Sequence, residues 1–339
     1  VSAAGATLQS DVEVRRSGDG RWRPLLAAVA LAVLLVAWAG DSGYRLSLVT
    51  LMVSYALVAL GMYVPVAWAG SLSLAYGAYA AIGGYSVAVA TTMLNTPVWV
   101  GWVGGAVLAA LVAVVLGLAT ARLLGFHLVA ATLLFTTAFE SWLDHSLWLG
   151  SSNGLVGVPR PEVLGWEPGP PVLVSAGVAL VLLLAFAVDR IADSRWGILV
   201  RSLGQAPLVV SSSGTSPGRL TVVVLAIGAM IASFGGAFFV TTVGGITPET
   251  FSMELVFLAL FMPLLGGIGT SWGAVLGALL TVELTVHWEL FAEGGGVFVL
   301  SVAVLVVLLV APDGVLGYVG RVLRPVRRAL WTDRRGPRG

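Results

Sequence analysis

Between residues 25 and 311 the chain is a succession of apolar blocks, each about as long as a bilayer crossing, separated by short polar intervals. The blocks run over residues 25–40, 46–65, 69–92, 98–121, 126–143, 172–188, 220–243, 253–265, 273–287 and 297–311. A helix needs about 17–25 apolar residues to cross the hydrocarbon, so most blocks suffice and a few are short enough to be half-spans. Of all residues, 58% are hydrophobic and only 10% are charged, against about 25% charged in soluble domains. No soluble core hides that much apolar surface. The expected fold is all-α: a polytopic transmembrane helical bundle of about ten crossings. An eight-crossing version, with 69–92 and the Gly266 region re-entrant, fits the same pattern.

The basic residues orient the bundle. All eighteen are Arg, and a ten-crossing layout with both termini cytoplasmic puts sixteen of them on the inner side. Only Arg45 and Arg160 fall outside, as the excess of cytoplasmic Arg requires. The layout divides the chain into an N-terminal arm (1–24), a transmembrane domain (25–317) and a basic tail (318–339). The arm, with Arg15, Arg16, Arg21 and Arg23 before an apolar block, looks like a signal peptide. The chain after that block stays hydrophobic, which favours an uncleaved first span.

Several chemistries are excluded. There is no Cys, hence no disulfide, thiol nucleophile or Cys-ligated metal, and His127, His145 and His287 lie far apart. Without Lys no phosphate-binding G-x-x-x-x-G-K-[ST] loop exists. No nucleophile sits beside a base, so no enzyme reading and no bound cofactor are expected. The net charge of +1 gives no reason to expect nucleic acid. If ATP drives this protein, another polypeptide hydrolyses it.

Two polar intervals are long. Residues 144–171 face outward and are rich in Gly, Pro and Trp. Residues 189–219 face inward and hold Arg190, Arg195, Arg201 and Arg219. Within the second, an apolar patch (Leu208, Val209, Val210) is opened by Pro207 and closed by Gly214, the residues suited to start and end a short helix. A helix on an inner loop suits the docking of a partner; a solvated connector is the plainer alternative. Candidate path residues are Ser71, Ser73, Tyr76, Gly83, Gly84, Gly266, Gly267 and Gly269, since Gly and Ser at membrane depth mark unwound segments. Close packing of helices is an equal explanation for them. Glu140 and Glu283 are intramembrane acids, for which a role in a path is the default reading, although Glu140 lies near the end of its block.

Five motifs in order resemble the LivM/LivH family, the membrane permeases of branched-chain amino acid ABC importers, and its LivM branch in particular. They are AGSLSLAYGAYAAIGGYSVA (69–88), SSNGLVGVP (151–159), TPETF (247–251), GGIGTSWGAVLGA (266–278) and PDGVLG (312–317). The likeness extends over residues 46–317. It implies a path for branched-chain amino acids or a related small amino-acid or amide solute, in a bacterial cytoplasmic membrane. It also implies a second permease subunit (LivH-like or a copy of this chain), two ATPase subunits carrying ATP and Mg, and an extracytoplasmic solute-binding protein. That binding protein would meet the loop at Asn153, Gly154 and Pro159. The ATPase would meet Arg195, Gly197, Arg201, Gln205, Pro207, Leu208, Val209 and Gly214. The centre of that loop in the family, Ala-Ile-Arg-Glu-Asn-Glu, reads Ser202-Leu203-Gly204-Gln205-Ala206-Pro207 here, so the contact is more apolar. The competing class, an ATPase-independent transporter or channel for a small solute, differs in purifying without an ATPase.

Overall fold

The computed structural model describes residues 23–40, 42–120, 126–162, 165–205 and 214–287, and singly 210, 302, 314, 315 and 317. The arm up to residue 22, the block at 297–311 and the tail from 318 lie outside them, apart from Val302. Helices α1 (Arg23–Ala39), α2 (Gly43–Ala69), α3 (Tyr76–Thr92), α4 (Val98–Ala119), α5 (Phe126–His145) and α6 (Pro170–Ala192) precede a short α7 (Arg195–Gln205). Then come α8 (Pro217–Val243), α9 (Met253–Gly266) and α10 (Ser271–His287). Among the described residues, five helical stretches are long and apolar enough to cross a membrane: α2, α4, α6, α8 and the run Pro248–Gly266 that contains α9. The chain is a polytopic helical membrane protein.

The centre is the α2–α8 pair. These helices run antiparallel, with Ser54 near Gly235 and Gly61 near Gly228. The Ser54 hydroxyl donates to the Gly235 carbonyl at 3.0 Å. A Cβ on Gly61 would stand 2.5 Å from the Gly228 oxygen, so the two backbones touch there. Helix α3 packs on the same helix: a Cβ on Gly236 would fall 1.8 Å from the Ala80 oxygen. Helix α4 lies antiparallel to α3 through Gly101 and Gly105, and the Trp102 indole N–H donates to Thr241 on α8 at 3.0 Å. Small residues are what permit backbones to approach this closely in a membrane bundle. The blocks read from hydropathy as spans thus carry their Gly on the faces that meet other helices.

Two helices are each followed by a break. Both α2 and α8 have 27 residues and end at a left-handed glycine, Gly70 (φ 61°) or Gly244 (φ 84°). Each then passes through an irregular stretch into a shorter helix, α3 of 17 residues or α9 of 14. Because α2 and α8 are antiparallel, the two units are inverted with respect to each other. Within the second break, β2 (Gly245–Ile246) pairs antiparallel with β1 (Leu155–Val156) of the 144–171 loop, so that loop and the second break share one end of the bundle. A 3-10 turn, Pro248–Phe251, follows, closed by a reciprocal capping box of Thr247 and Thr250.

One expectation needs adjusting. The block at 46–65 does not stop at Pro65; α2 runs through it to Ala69, because neighbouring helices can satisfy the carbonyl a proline leaves free. In the 189–219 loop, α7 lies upstream of the patch at 208–210. Val210 is helical and buried; Pro207, Leu208 and Val209 lie outside the described residues.

Candidate translocation and coupling site

The first break is residues 70–75. The Ser71 N–H reaches back to the Pro65 carbonyl at 3.1 Å. Ser73 is buried, with its hydroxyl 3.4 Å from the Ala75 N–H. Tyr76 opens α3 fully buried, edge-on to Tyr79 at 5.4 Å, and its hydroxyl has no hydrogen-bond partner among the described residues. Helix α5 supports the stretch from the side: Leu74 N–H donates to the Thr132 hydroxyl, and the Thr136 hydroxyl donates to the Leu74 carbonyl, both at 2.9 Å.

The second break meets the first. A Cβ on Gly77 would lie 2.6 Å from the Val256 side chain and 3.2 Å from the Phe251 carbonyl. The amino-terminal ends of α3 and α9 therefore converge. Glu140, half-buried on α5, lies beside the backbone N–H of Met253, the first residue of α9. A carboxylate near a helix amino terminus complements the helix dipole. Ser71, Ser73, Tyr76 and Glu140, chosen from sequence, are thus brought to one neighbourhood.

The glycines divide differently. Gly83 and Gly84 lie inside an uninterrupted α3; a Cβ on Gly83 would clash with the Ser233 carbonyl at 2.0 Å, and one on Gly84 with Ile246 at 2.6 Å. They serve close packing, not a break. Gly266 likewise packs on Gly273, where a Cβ would meet the carbonyl at 1.7 Å. Gly267 (φ 112°) makes the α9–α10 turn, and Gly269 faces open space. That turn is far from Glu140, next to the carboxyl end of α6. There the Ser271 N–H donates to Asp189 at 3.2 Å and its hydroxyl donates to the Ala185 carbonyl at 2.9 Å.

The coupling residues gather on α7. Ser194 starts this helix by accepting the Gly197 N–H at 3.1 Å, as a capping serine does. Trp196, Leu199, Val200 and Leu203 form its packed stripe, and the Trp196 ring meets Trp68 edge-on at 6.0 Å. Arg195 and Ile198 face outward. Gly197 permits a tight α6–α7 corner, where a Cβ would lie 2.2 Å from the Ile191 carbonyl. Arg201 closes that corner by donating to the Ala192 carbonyl and pairing with Asp193 at 3.5 Å. Near its end, α7 touches the first break: a Cβ on Gly70 would stand 3.3 Å from the Gly204 Cα. Gln205 is the last residue of α7, and Gly214 (φ 81°) is exposed.

At the opposite end, Asn153 closes a 3-10 turn and is exposed, as is Pro159. Gly154 is wedged against Ile246, whose carbonyl would lie 1.9 Å from a Cβ.

Reading the sequence missed Gly70, Thr132, Thr136, Asp189 and Ser271. The four-residue spacing of Thr132, Thr136 and Glu140, one face of a helix, was a visible signal. So was the period of Trp196, Val200 and Leu203 in α7. Nothing local in sequence pairs Asp189 with Ser271.

A helical membrane bundle with two inverted helix–break–helix units and a short helix beside one break has the form of a transport protein. The chain belongs to the family of permease components of branched-chain amino acid transport systems, whose model matches residues 44–311. It is 28% identical over 319 residues to the Escherichia coli (strain K12) high-affinity branched-chain amino acid transport system permease protein LivM, covering 86% of this chain and 74% of that one. The LivM protein of Salmonella typhimurium (strain LT2) is 27% identical over the same extent. No solved structure matches the chain. The protein is a LivM-like membrane permease subunit of an ABC importer.

Proposed function

We propose that this permease forms a path for branched-chain amino acids, or a closely related amino-acid or amide solute, and that separate ATPase subunits drive it through α7. The observation carrying this reading is the contact of α7 with the first break. Gly204 lies against Gly70, so a push on α7 reaches the stretch where backbone is unwound. Transporters bind solutes where discontinuous helices of inverted repeats meet, which here is the neighbourhood of Ser71, Ser73, Tyr76 and Glu140. A partner moves such an element only by contacting its two states differently, and the outward face of α7 at Arg195 and Ile198 offers that contact.

The remaining partners follow from the same scheme. Nine long helices among the described residues, with the block at 297–311, make ten crossings. The α7 end is cytoplasmic, and the β1–β2 end, with Asn153, Gly154 and Pro159, receives a solute-binding protein. A second permease subunit completes the path. This chain holds no nucleotide; ATP and Mg belong to the ATPases, and the chain has no enzymatic activity of its own. The membrane is the bacterial cytoplasmic membrane.

The test is uptake by proteoliposomes containing this chain, the second permease and the ATPases, with the binding protein outside. ATP-dependent accumulation of leucine, with little of urea or acetamide, is expected. Uptake of urea or acetamide in preference to leucine contradicts the proposed substrate class. Leucine flux that persists without ATPase subunits contradicts ATP coupling.

A further inference from the structure

One face of α5 serves both breaks. Thr132, Thr136, Glu140 and Asp144 are spaced four apart along it, which on a helix places them in one row. The first two hold both peptide groups of Leu74. The third lies beside the first N–H of α9. The fourth, Asp144, accepts the Ser152 hydroxyl through its side chain at 2.7 Å and the Ser151 hydroxyl through its carbonyl. A single helix thus grips the break before α3 and the loop that pairs with β2 in the second break, and sets a carboxylate beside the start of α9.

The hydroxyl chemistry is consistent with a structural grip at each point. The Thr132 hydroxyl donates to the Leu128 carbonyl of its own helix at 3.0 Å, which leaves its oxygen free to accept from Leu74. Thr136 lies 3.1 Å from the Thr132 carbonyl and shares its proton between that oxygen and Leu74. Both threonines are buried, at 2% and 1% exposure. Away from water, unwound backbone must find partners within the protein, and for Leu74 both partners come from α5.

We propose that α5 fixes the two breaks relative to each other, with Thr132, Thr136 and Glu140 acting as positioning residues for translocation. The proposal rests on the reading of the breaks as the transport path. It adds that the breaks cannot shift independently: any change at Leu74 is carried by α5 to Met253, and on to the loop at Ser151 and Ser152. A change in that loop on binding-protein contact returns by the same helix.

The experiment uses the full complex in proteoliposomes and compares the double variant Thr132→Val/Thr136→Val, which keeps side-chain shape and removes the hydroxyls, with Thr132→Ser/Thr136→Ser. Glu140→Ala is compared with Glu140→Gln, whose amide keeps a polar oxygen beside the Met253 N–H. Hydrogen exchange at Leu74 and Met253 is measured on the same samples. Losing the buried hydrogen bond to Thr132 is expected to speed exchange at the Leu74 amide by about tenfold or more. Glu140→Ala is also expected to speed exchange at Leu74, because the breaks are linked. ATP hydrolysed per solute moved rises several-fold in the Val and Ala variants, and the Ser and Gln variants return near the original ratio. A purely structural role lowers the amount of assembled complex without changing that ratio, and that result overturns the proposal. Unchanged exchange at Leu74 in the Val variant overturns it too. Exchange reads the grip without reference to transport, so a wild-type complex that carries no leucine defeats the functional reading above while leaving the coupling of the breaks to be judged by exchange.

Discussion

At the residue scale, the glycines of α2 and α8 carry the packing. Gly61 has the Gly228 oxygen at 2.5 Å and the Ala232 nitrogen at 2.8 Å from where a Cβ would stand. Both are backbone atoms, so neither rotates away. Gly61→Ala is expected to destabilise the detergent-solubilised protein by about 2 kcal/mol or more, since overpacking a tight contact costs about 1–3 kcal/mol. Gly104 sits on the exposed face of α4 with nothing within 4 Å, and Gly104→Ala is expected to be neutral or slightly stabilising, as Ala favours helix by about 1 kcal/mol over Gly. Thermal unfolding of the two variants side by side checks this; equal melting points contradict the packing described. Ser54→Ala removes the bond to the Gly235 carbonyl and is expected to cost about 0.6 kcal/mol, the usual worth of an interhelical hydrogen bond in a bilayer. A melting point lowered as far as that of Gly61→Ala contradicts this ranking.

At the scale of elements, the legible part was whatever has a period. Apolar blocks of bilayer length translate into helices with ends displaced by a few residues, and the small-residue stretch at 69–92 does contain a break. Its position was legible in part: Ser71 and Ser73 lie in it, whereas Gly83 and Gly84, singled out with them, sit in unbroken helix as packing glycines, and the bonds that hold the break come from Thr132 and Thr136 on a distant helix. In the 189–219 loop, the helix at 195–205 is specified by a buried stripe and by Ser194, while the Pro-to-Gly frame at 207–214 lies outside the described residues apart from Val210 and Gly214. Arg201 ties that helix to the end of α6. Arg201→Ala is therefore expected to leave the transmembrane helices folded and to weaken retention of the ATPase subunits during purification by several-fold. Co-purification against a thermal melt separates the two effects; full retention contradicts the idea that α7 must be held rigid. Asp189→Ala frees the Ser271 N–H at the start of α10 and is expected to cost about 1 kcal/mol, as loss of an N-terminal cap does, with Asp189→Asn costing less. Equal melting points for the two Asp189 variants contradict a capping role.

At the scale of the whole molecule, under the proposed function the pieces join in one mechanical sequence: α7 against the first break, the two breaks against each other, and α5 along both to the loop that pairs with β2. The orientation proposed for that sequence rests on the distribution of Arg, since residues 189–219 hold four of them and residues 144–171 hold one. The chain contains no Cys, so a single introduced thiol reports without background. Ile198, 60% exposed on the outward face of α7, is the position to use. With Ile198→Cys in intact cells, the account predicts that a membrane-impermeant maleimide leaves the thiol unlabelled, and that a short bifunctional thiol reagent joins it to a cysteine placed on an ATPase subunit. Labelling from outside the cell, or the absence of any cross-link in an assembled complex, contradicts it.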